Sequence, residues 1–379
     1  MTPINPYFVG GKIPARYFCD RKEESARLIR EITNGNNLVL VSPRRMGKTG
    51  LIQHCFDEPQ ISKNFETFYL DILQTSSLKE FTYLLGREIF NRLASYGDRT
   101  LRQFASMLRS IAGSFGFDAL SGMPTFNLHM GDISNPVLTL EEIFNYLRDS
   151  KTPTIIAIDE FQQISTYKEK NVEAILRSNI QQLPSTNFIF AGSERHMLQQ
   201  MFSDSARPFY GSASFLELNA IREETYSGFA IELFNERNRT ISENEVKNVY
   251  DTFSGNTFYM QKALNIAFSL TPEGDYCGQE TIHYALNEMI ASYDTIYREM
   301  LSPLNESQKQ LLLAIAQENR CEGITSADFI KSHALKSASA VQAAATRLMS
   351  TGLLIRKANV YSLQDPLLRI WLLRNYGAK

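Results

Sequence analysis

The chain has 379 residues, of which 43% are hydrophobic and 21% charged, with a net charge of −2. That length exceeds a single core and implies about two or three domains; the apolar content excludes disorder, and the charge balance excludes a protein that coats nucleic acid by bulk charge. Cys19, Cys55, Cys277 and Cys321 lie far apart with no C-x-x-C pair, which reads as reduced thiols in a cytosol and argues against zinc. Met1 to Pro6 lacks the charged and apolar regions of a signal peptide, and no run approaches the ~20 apolar residues of a membrane span, so the expected location is cytoplasmic.

The opening, from Asn5-Pro6-Tyr7-Phe8 to Cys19-Asp20-Arg21, is aromatic and rich in proline and glycine, and is expected as an extended arm on the core. Asp20 is expected to cap a helix over about 21–34 with Leu28, Ile29 and Ile32 on one face, ended by Gly35-Asn36-Asn37. The apolar run Val39-Leu40-Val41 then leads into Ser42-Pro43-Arg44-Arg45-Met46-Gly47-Lys48-Thr49-Gly50. Strand, tight turn and Gly-Lys-Thr opening a helix read as a phosphate-binding loop: backbone N–H groups surround phosphate, Lys48 adds a point charge and the Thr49 hydroxyl completes a Mg²⁺ shell. Ser42 stands where the G-x-x-x-x-G-K-[ST] pattern has its first glycine. The bland alternative is a basic turn with solvated Arg44, Arg45 and Lys48.

Thr67 to Ile72 reads as a second strand and Leu78 to Leu93 as a helix, giving a βαβα alternation. Between about 95 and 135 the periodicity blurs, and a helix from Leu101 to Ile111 is followed by an inserted hairpin. A helix from Thr139 to Arg148, with Glu141 and Glu142 in its first turn, returns to the core pattern. Thr154-Ile155-Ile156-Ala157-Ile158-Asp159-Glu160 is an apolar strand ending in two carboxylates, as expected at the buried centre of a parallel sheet. Beside a phosphate loop, Asp159 would hold the magnesium shell and Glu160 would polarise the attacking water. Taken alone, the pair also fits an N-cap with an acidic first turn.

Asn187 to Ser193 is a further buried strand, from which Ser193 would reach the γ-phosphate or its water, or would only cap the helix beginning near Glu194. Ser214 to Leu218 closes a set of five core strands in an α/β, doubly wound parallel sheet with nucleotide over its carboxyl edge. From about Arg222 helices dominate: Glu223 to Asn235, Glu243 to Phe253, Thr257 to Ser269 and Glu280 to Ser302. Phe258, Tyr259 and Met260 read as core packing ahead of a nucleotide contact. Three helices (Glu306 to Gln317, Thr325 to Ser332, Ser337 to Ser350) and two short strands across 353–363 make a C-terminal winged helix. Its third helix carries few cations, so packing on protein is the default, while Arg356 and Lys357 on the wing keep DNA open. The expected domains are a core over 1–220, an all-α lid over 221–302 and a winged helix over 303–379.

This order of parts resembles the archaeal-type ATPases of the AAA+/STAND group of P-loop NTPases, which also occur in bacteria. The resemblance rests on Ser42 to Thr49, Ile158-Asp159-Glu160-Phe161-Gln162, Phe190-Ala191-Gly192-Ser193, Pro208-Phe209-Tyr210-Gly211 and Tyr361-Ser362-Leu363-Gln364-Asp365-Pro366. It implies an ATP/ADP-binding, magnesium-dependent switch in which Lys48 and Thr49 ligate phosphate and metal, Asp159 and Glu160 handle metal and water, and Ser193 is the first sensor. Glu160, Lys48 and Ser193 are thus the catalytic candidates, and Ser42 to Gly50 the nucleotide contacts. The family often follows its Tyr-Gly with an arginine; Ser212 stands there, leaving Arg207, Arg195 or Arg222 to substitute or γ-phosphate sensing weakened. Three functional readings follow: an ATPase switch, slow without a partner and acting on a protein or a second copy; a DNA-binding regulator or loader with nucleotide-controlled affinity; and a nucleotide-dependent scaffold in phage defence or toxin regulation. A small-molecule kinase fits less well, because Glu160 directly after the metal Asp suits water attack.

Overall fold

The computed structural model describes residues 5–94, 98–117, 124–126, 129–357 and 359–377. The chain divides into two compact units: residues 12–219, and residues 220–379 together with 1–11.

The first unit is built on five parallel strands: β1 (Leu38–Val41), β2 (Glu66–Asp71), β3 (Thr154–Asp159), β4 (Thr186–Gly192) and β5 (Ser214–Glu217). Their spatial order is β2-β3-β4-β1-β5. Successive side chains along a strand point to opposite faces, and here both faces are buried. Val39, Phe68, Ile156, Ile158, Phe188 and Phe190 fill one core, whereas Leu38, Leu40, Ile155, Ala157, Ile189 and Ala191 fill the other. That two-sided burial is why β3 and β4 read as unbroken apolar runs in the sequence. In register, Val41 lies beside Gly192 and Asp71 beside Asp159, so the carboxyl ends of the strands finish along one edge.

Several boundaries differ from the sequence expectation. Helix α1 is Lys22–Thr33, and its cap position is Arg21, not Asp20. Both residues take left-handed backbone, φ 52° at Asp20 and 65° at Arg21, so Asp20 is turned away from the cap. The helix expected from Thr139 starts at Pro136, capped by Asn135, whose Oδ1 accepts from Leu138 N at 3.2 Å. Glu141 and Glu142 therefore fall past its first turn, and proline at N1 costs nothing because that N–H has no intrahelical partner. The helix read as 101–111 is Asp98–Met107. Phe115–Phe117 and Pro124–Phe126 form the inserted antiparallel hairpin; the residues joining them lie outside the described ones.

In the other unit, helices Glu223–Asn235, Glu243–Phe253 and Thr257–Leu270 fall where the periodicity places them. The span read as one helix over 280–302 is two, Gln279–Ser292 and Asp294–Leu301, broken at Tyr293. The break lets Tyr297 bury completely against Trp371, ring centroids 5.6 Å apart. Strands do not vanish altogether: Thr240–Ile241 pairs in parallel with Tyr276–Cys277. Two residues per strand leave no periodicity to detect.

The opening arm divides: residues 12–21 lie with the first unit, where Phe18 packs on its core and stacks on His54, whereas residues 5–11 sit here. Tyr7 is buried, donates its hydroxyl to the Ala230 carbonyl at 2.7 Å and packs against Phe234 and Phe268. The C-terminal part holds three helices (Glu306–Glu318, Ala327–Ser332 and Ala338–Ser350) and a three-stranded sheet in which Cys321–Glu322 joins the wing pair Leu354–Lys357 and Val360–Leu363. A last helix, Pro366–Tyr376, adds to the expected elements; its apolar residues face several neighbours and show little periodicity.

Asp365 explains the Asp-Pro motif. Its Oδ1 caps that last helix by accepting from Leu367 N at 2.9 Å and Leu368 N at 3.3 Å, while Oδ2 accepts from the Tyr259 hydroxyl at 2.6 Å and the Tyr297 hydroxyl at 3.2 Å. Tyr259 and Met260 are thus core residues of this unit. Replacing Asp365 by Ala removes a helix cap and the acceptor of two buried hydroxyls, at a cost of about 2–3 kcal/mol. Thermal unfolding should show a clear drop; an unchanged transition would contradict the linchpin role.

All four cysteines are free and buried, as the spacing suggests. Burial pushes the Cys19 and Cys55 thiols up to about 12. Among the described residues no helix is long and apolar enough to cross a membrane.

Candidate active site

Three strand ends in the first unit carry the polar groups: β1 runs into the loop Ser42–Gly47, β3 ends at Asp159 with Glu160 directly after it, and β4 ends at Gly192 with Ser193 directly after it. Because β4 lies between β1 and β3, the two carboxylates reach the loop across the Ser193 end of β4. Adjacent strands lie ~4.8 Å apart, so this interposed strand sets the width of the crevice.

The loop turns through Arg45 at φ 68° and Gly47 at φ 89°, both left-handed. Ser42 is absent from the positive-φ residues, which is why serine is tolerated where the pattern has glycine. It is fully buried; its N–H donates to Gly192 O at 3.2 Å and its hydroxyl to Pro43 O at 3.0 Å. Pro43, Arg44, Arg45 and Gly47 are exposed, Met46 and Lys48 buried. Helix α2 (Lys48–Asp57) follows directly, and its cap residue Gly47 offers no side chain to the first-turn N–H groups. Such an end, with the positive end of the helix dipole behind it, suits an anion. A Cβ at Gly50 would be in ordinary contact with Phe18 and Ile13, at 3.5 and 3.7 Å, so Gly50 is a packing position of the helix.

Lys48 is 8% exposed and lies between the carboxylates, Nζ 2.6 Å from Asp159 Oδ1 and 3.1 Å from Glu160 Oε1. Thr49 Oγ1 donates to Asp159 Oδ2 at 3.0 Å. Glu160 Oε2 accepts from Gln162 Nε2 at 2.6 Å, from the Ser193 hydroxyl at 2.8 Å and from the Ser193 N–H at 3.3 Å. Burial raises the Glu160 carboxyl, but the Lys48 charge and the hydrogen bonds from Gln162, Ser193 and Lys48 outweigh it and hold the group below its ordinary value. The structure thus brings together Lys48, Thr49, Asp159, Glu160 and Ser193. Ser193 lies ahead of the helix Arg195–Ser203 and gives it no side-chain cap, that helix's cap position being Glu194.

Three site neighbours have no role assigned from the sequence. Tyr69 of β2 donates to Asp159 Oδ2 at 2.6 Å and lies 3.3 Å from Thr49 Oγ1; burial and the Asp159 charge push its hydroxyl well above the ordinary tyrosine value. Arg21 is buried and places Nη2 3.2 Å from the Met46 carbonyl, bracing the loop one residue before Gly47. Gln162 grips Glu160, and its only signal was its place in the Asp-Glu-Phe-Gln run. Of the arginines weighed against Ser212, Arg207 is paired with Glu173, and Arg195 with Glu217 at 2.6 Å. Arg222 is the cap residue of Glu223–Asn235, in the other unit. Arg44 places Nε 3.5 Å from the Ser193 hydroxyl.

Residues 18–263 match the family described as an ATPase domain predominantly from Archaea. The chain belongs to this ATPase family. Residues 295–374 of this ATPase match a probable winged helix domain, so the enzyme is a nucleotide-binding P-loop ATPase that carries a winged helix. Solved structures similar to it include the Walker-type ATPase paby2304 of Pyrococcus abyssi, at 19% identity, covering 97% of this chain and 99% of that one with a TM-score of 0.65. The Aeropyrum pernix ORC2 protein, in ADPNP and ADP complexes, is similar at 13% identity, 97% and 95% coverage and a TM-score of 0.59. The Aeropyrum pernix ORC1 protein in complex with DNA is similar at 12% identity, 98% and 97% coverage and a TM-score of 0.52. At these identities the likeness is one of fold. No curated protein matches the sequence of this ATPase.

Proposed function

We propose that this ATPase is a magnesium-dependent conformational switch, in which hydrolysis in the 12–219 unit changes what the winged helix presents to a protein partner. The observation that carries the catalytic reading is the Lys48 ammonium, buried between Asp159 and Glu160 at 2.6 and 3.1 Å. A buried cation shared by two carboxylates is poised to be drawn to a triphosphate, and its departure leaves both carboxylates available.

The donor set fits Mg²⁺. Thr49 Oγ1 and Asp159 Oδ2 are 3.0 Å apart, and one hydroxyl with one carboxylate is the sparse protein share that Mg²⁺ takes when phosphate oxygens and water complete its octahedron. Thr49 and Asp159 would hold the ion, which would supply charge neutralisation to the phosphates. Lys48 and the first-turn N–H groups of α2 bind the phosphates, and Tyr69 holds Asp159 in place. Glu160 orients a water and accepts its proton as the water oxygen bonds to the γ-phosphorus. The bond to the β–γ bridging oxygen breaks, ADP leaves with the electron pair, and Glu160 later releases the proton to solvent. Ser193, with Arg44 Nε 3.5 Å from its hydroxyl, would meet the γ-phosphate, and Arg44 would then stand in for the arginine missing at Ser212.

A protein partner is favoured over duplex DNA. The helix Ala338–Ser350 offers one arginine, Arg347, and on the wing Arg356 is engaged by Asn359 at 2.7 Å and stacked on Tyr361; a groove-reading face needs several free cations. Hydrogen–deuterium exchange with ADP against a non-hydrolysable ATP analogue tests the switch. Protection should change both in the loop Ser42–Gly47 and in the C-terminal residues 303–377. A change confined to the loop would overturn it, and salt-sensitive binding of duplex DNA would favour the regulator reading.

A further inference from the structure

Glu160 has two carboxylate oxygens, and the site treats them differently. Oε2 accepts three hydrogen bonds, from Gln162 Nε2 at 2.6 Å, Ser193 Oγ at 2.8 Å and Ser193 N at 3.3 Å. Oε1 meets one group among the described residues, the Lys48 ammonium at 3.1 Å. Glu160 itself sits at φ 55°, a conformation disfavoured for a residue with a Cβ and found where a side chain must be aimed.

The far end of Gln162 is costly to keep. The residue is 5% exposed, and its Oε1 is buried with no partner among the described residues. An apolar residue of that length would avoid the unpaired carbonyl. The fold nevertheless makes room for the amide: a Cβ at Gly192 would lie 2.1 Å from Gln162 Oε1 and 3.2 Å from its Cδ. Bare backbone at the end of β4 and an amide with one unpaired end together place one N–H on one oxygen of Glu160.

We propose that Gln162 is a positioning residue: it anchors Oε2 of Glu160 and so leaves Oε1 as the oxygen that receives the proton of the attacking water once a triphosphate draws Lys48 away. The inference rests on the reading of Glu160 as the base. Ser193 alone holds Oε2 from one side, so without Gln162 the carboxylate can swing after the departing ammonium. Misplacing a proton acceptor by about 1 Å costs on the order of 10²-fold in rate. ATP and ADP do not touch Gln162 in this scheme, so binding is spared.

The test is Gln162→Met, which keeps length and volume and removes the donor. Expected are a kcat reduced roughly 10- to 100-fold, a KM for ATP and an ADP affinity within about twofold of wild type, and a melting temperature unchanged or raised, because the unpaired carbonyl is gone. Gly192→Ala, which pushes Gln162 aside from the other wall, should reproduce the loss of kcat with a lowered melting temperature. Gln162→Ala serves as the second donor-free variant. Wild-type kcat in Gln162→Met, or a loss matched by a rise in KM and in the ADP dissociation constant, overturns the inference. Glu160→Gln separates the two levels: if it turns over like wild type, the base itself is misassigned, whereas an inactive Glu160→Gln beside a fully active Gln162→Met sinks only the role of Gln162. In the Glu160→Gln background, Gln162→Met should add no further loss of rate.

Discussion

Lys48→Met is expected to abolish measurable ATP turnover, a loss of at least about 10³-fold or ~4 kcal/mol of transition-state stabilisation, and to weaken ATP binding. It is also expected to destabilise the nucleotide-free protein, which a residue serving only a bound phosphate would not do. Lys48 is the cation shared by Asp159 and Glu160, with side chains 9%, 5% and 14% exposed. Removing one partner of a buried ion pair costs about 3–5 kcal/mol, and for a unit of this size each kcal/mol moves the midpoint by about 2–4 °C. A fall of roughly 10 °C follows. The pH dependence has a definite sign. In the wild type the Glu160 carboxyl is held below its ordinary value: burial raises it, and Lys48 leads the groups that bring it down. Its contribution is therefore present above the unfolded carboxylate pKa and is lost as pH falls through the folded one. Without Lys48 the ionised Glu160 stays buried and loses its counter-ion, so the variant's deficit should be largest at neutral and alkaline pH and shrink as the carboxyl protonates at acid pH. Calorimetry across that range checks it. A pH-independent deficit, or none, would show that Lys48 does not neutralise the pair.

The parts of this architecture legible in the sequence are those where one physical demand dominates. β3 and β4 read as strands because two-sided burial forces continuous apolar runs. The loop reads from Gly47-Lys48-Thr49 because the turn, the charge and the hydroxyl each have a fixed place relative to α2. Asp159 and Glu160 read because carboxylates at the end of a buried strand need a reason. What stayed hidden depends on contacts between distant residues. Tyr69 is one aromatic among many until β2 is seen beside β3, and Arg21 looks like a helix-start charge until its guanidinium meets the Met46 carbonyl. Gln162, in the short helical turn after β3, gains its meaning against Glu160 and against Gly192 at the end of β4. Residues 5–11 pack on the other unit's helices for the same reason: aromatic, proline-rich segments declare that they pack, not where. The break at Tyr293 lies inside a helical pattern with neither glycine nor proline, so tertiary packing alone decides it.

Glu160→Gln should lower the stability of the nucleotide-free protein, by less than Lys48→Met. Lys48 and the hydrogen bonds hold the Glu160 carboxyl below its ordinary value, so neutralising it forfeits that contribution; the amide keeps the length, but its NH2 must face donors, either Lys48 or Gln162 and Ser193. The nucleotide-free variant should therefore melt below the wild-type temperature, while Asp159 still neutralises Lys48. Its turnover should fall about 10²- to 10³-fold, the share of a positioned general base, while ATP affinity is kept or improved because Lys48 is released to phosphate from a weaker partner. The product of these effects is an ATP-loaded protein that does not reset, so a partner bound to the ATP state should co-purify with Glu160→Gln in larger amount than with wild type. Steady-state hydrolysis, calorimetric ATP binding and thermal unfolding on the same preparation read the three effects separately. Turnover equal to wild type would remove Glu160 as the base. Lost turnover accompanied by lost ATP binding would instead make it a ligand-binding residue, because a base acts on the water and leaves the ground-state hold on the phosphates intact.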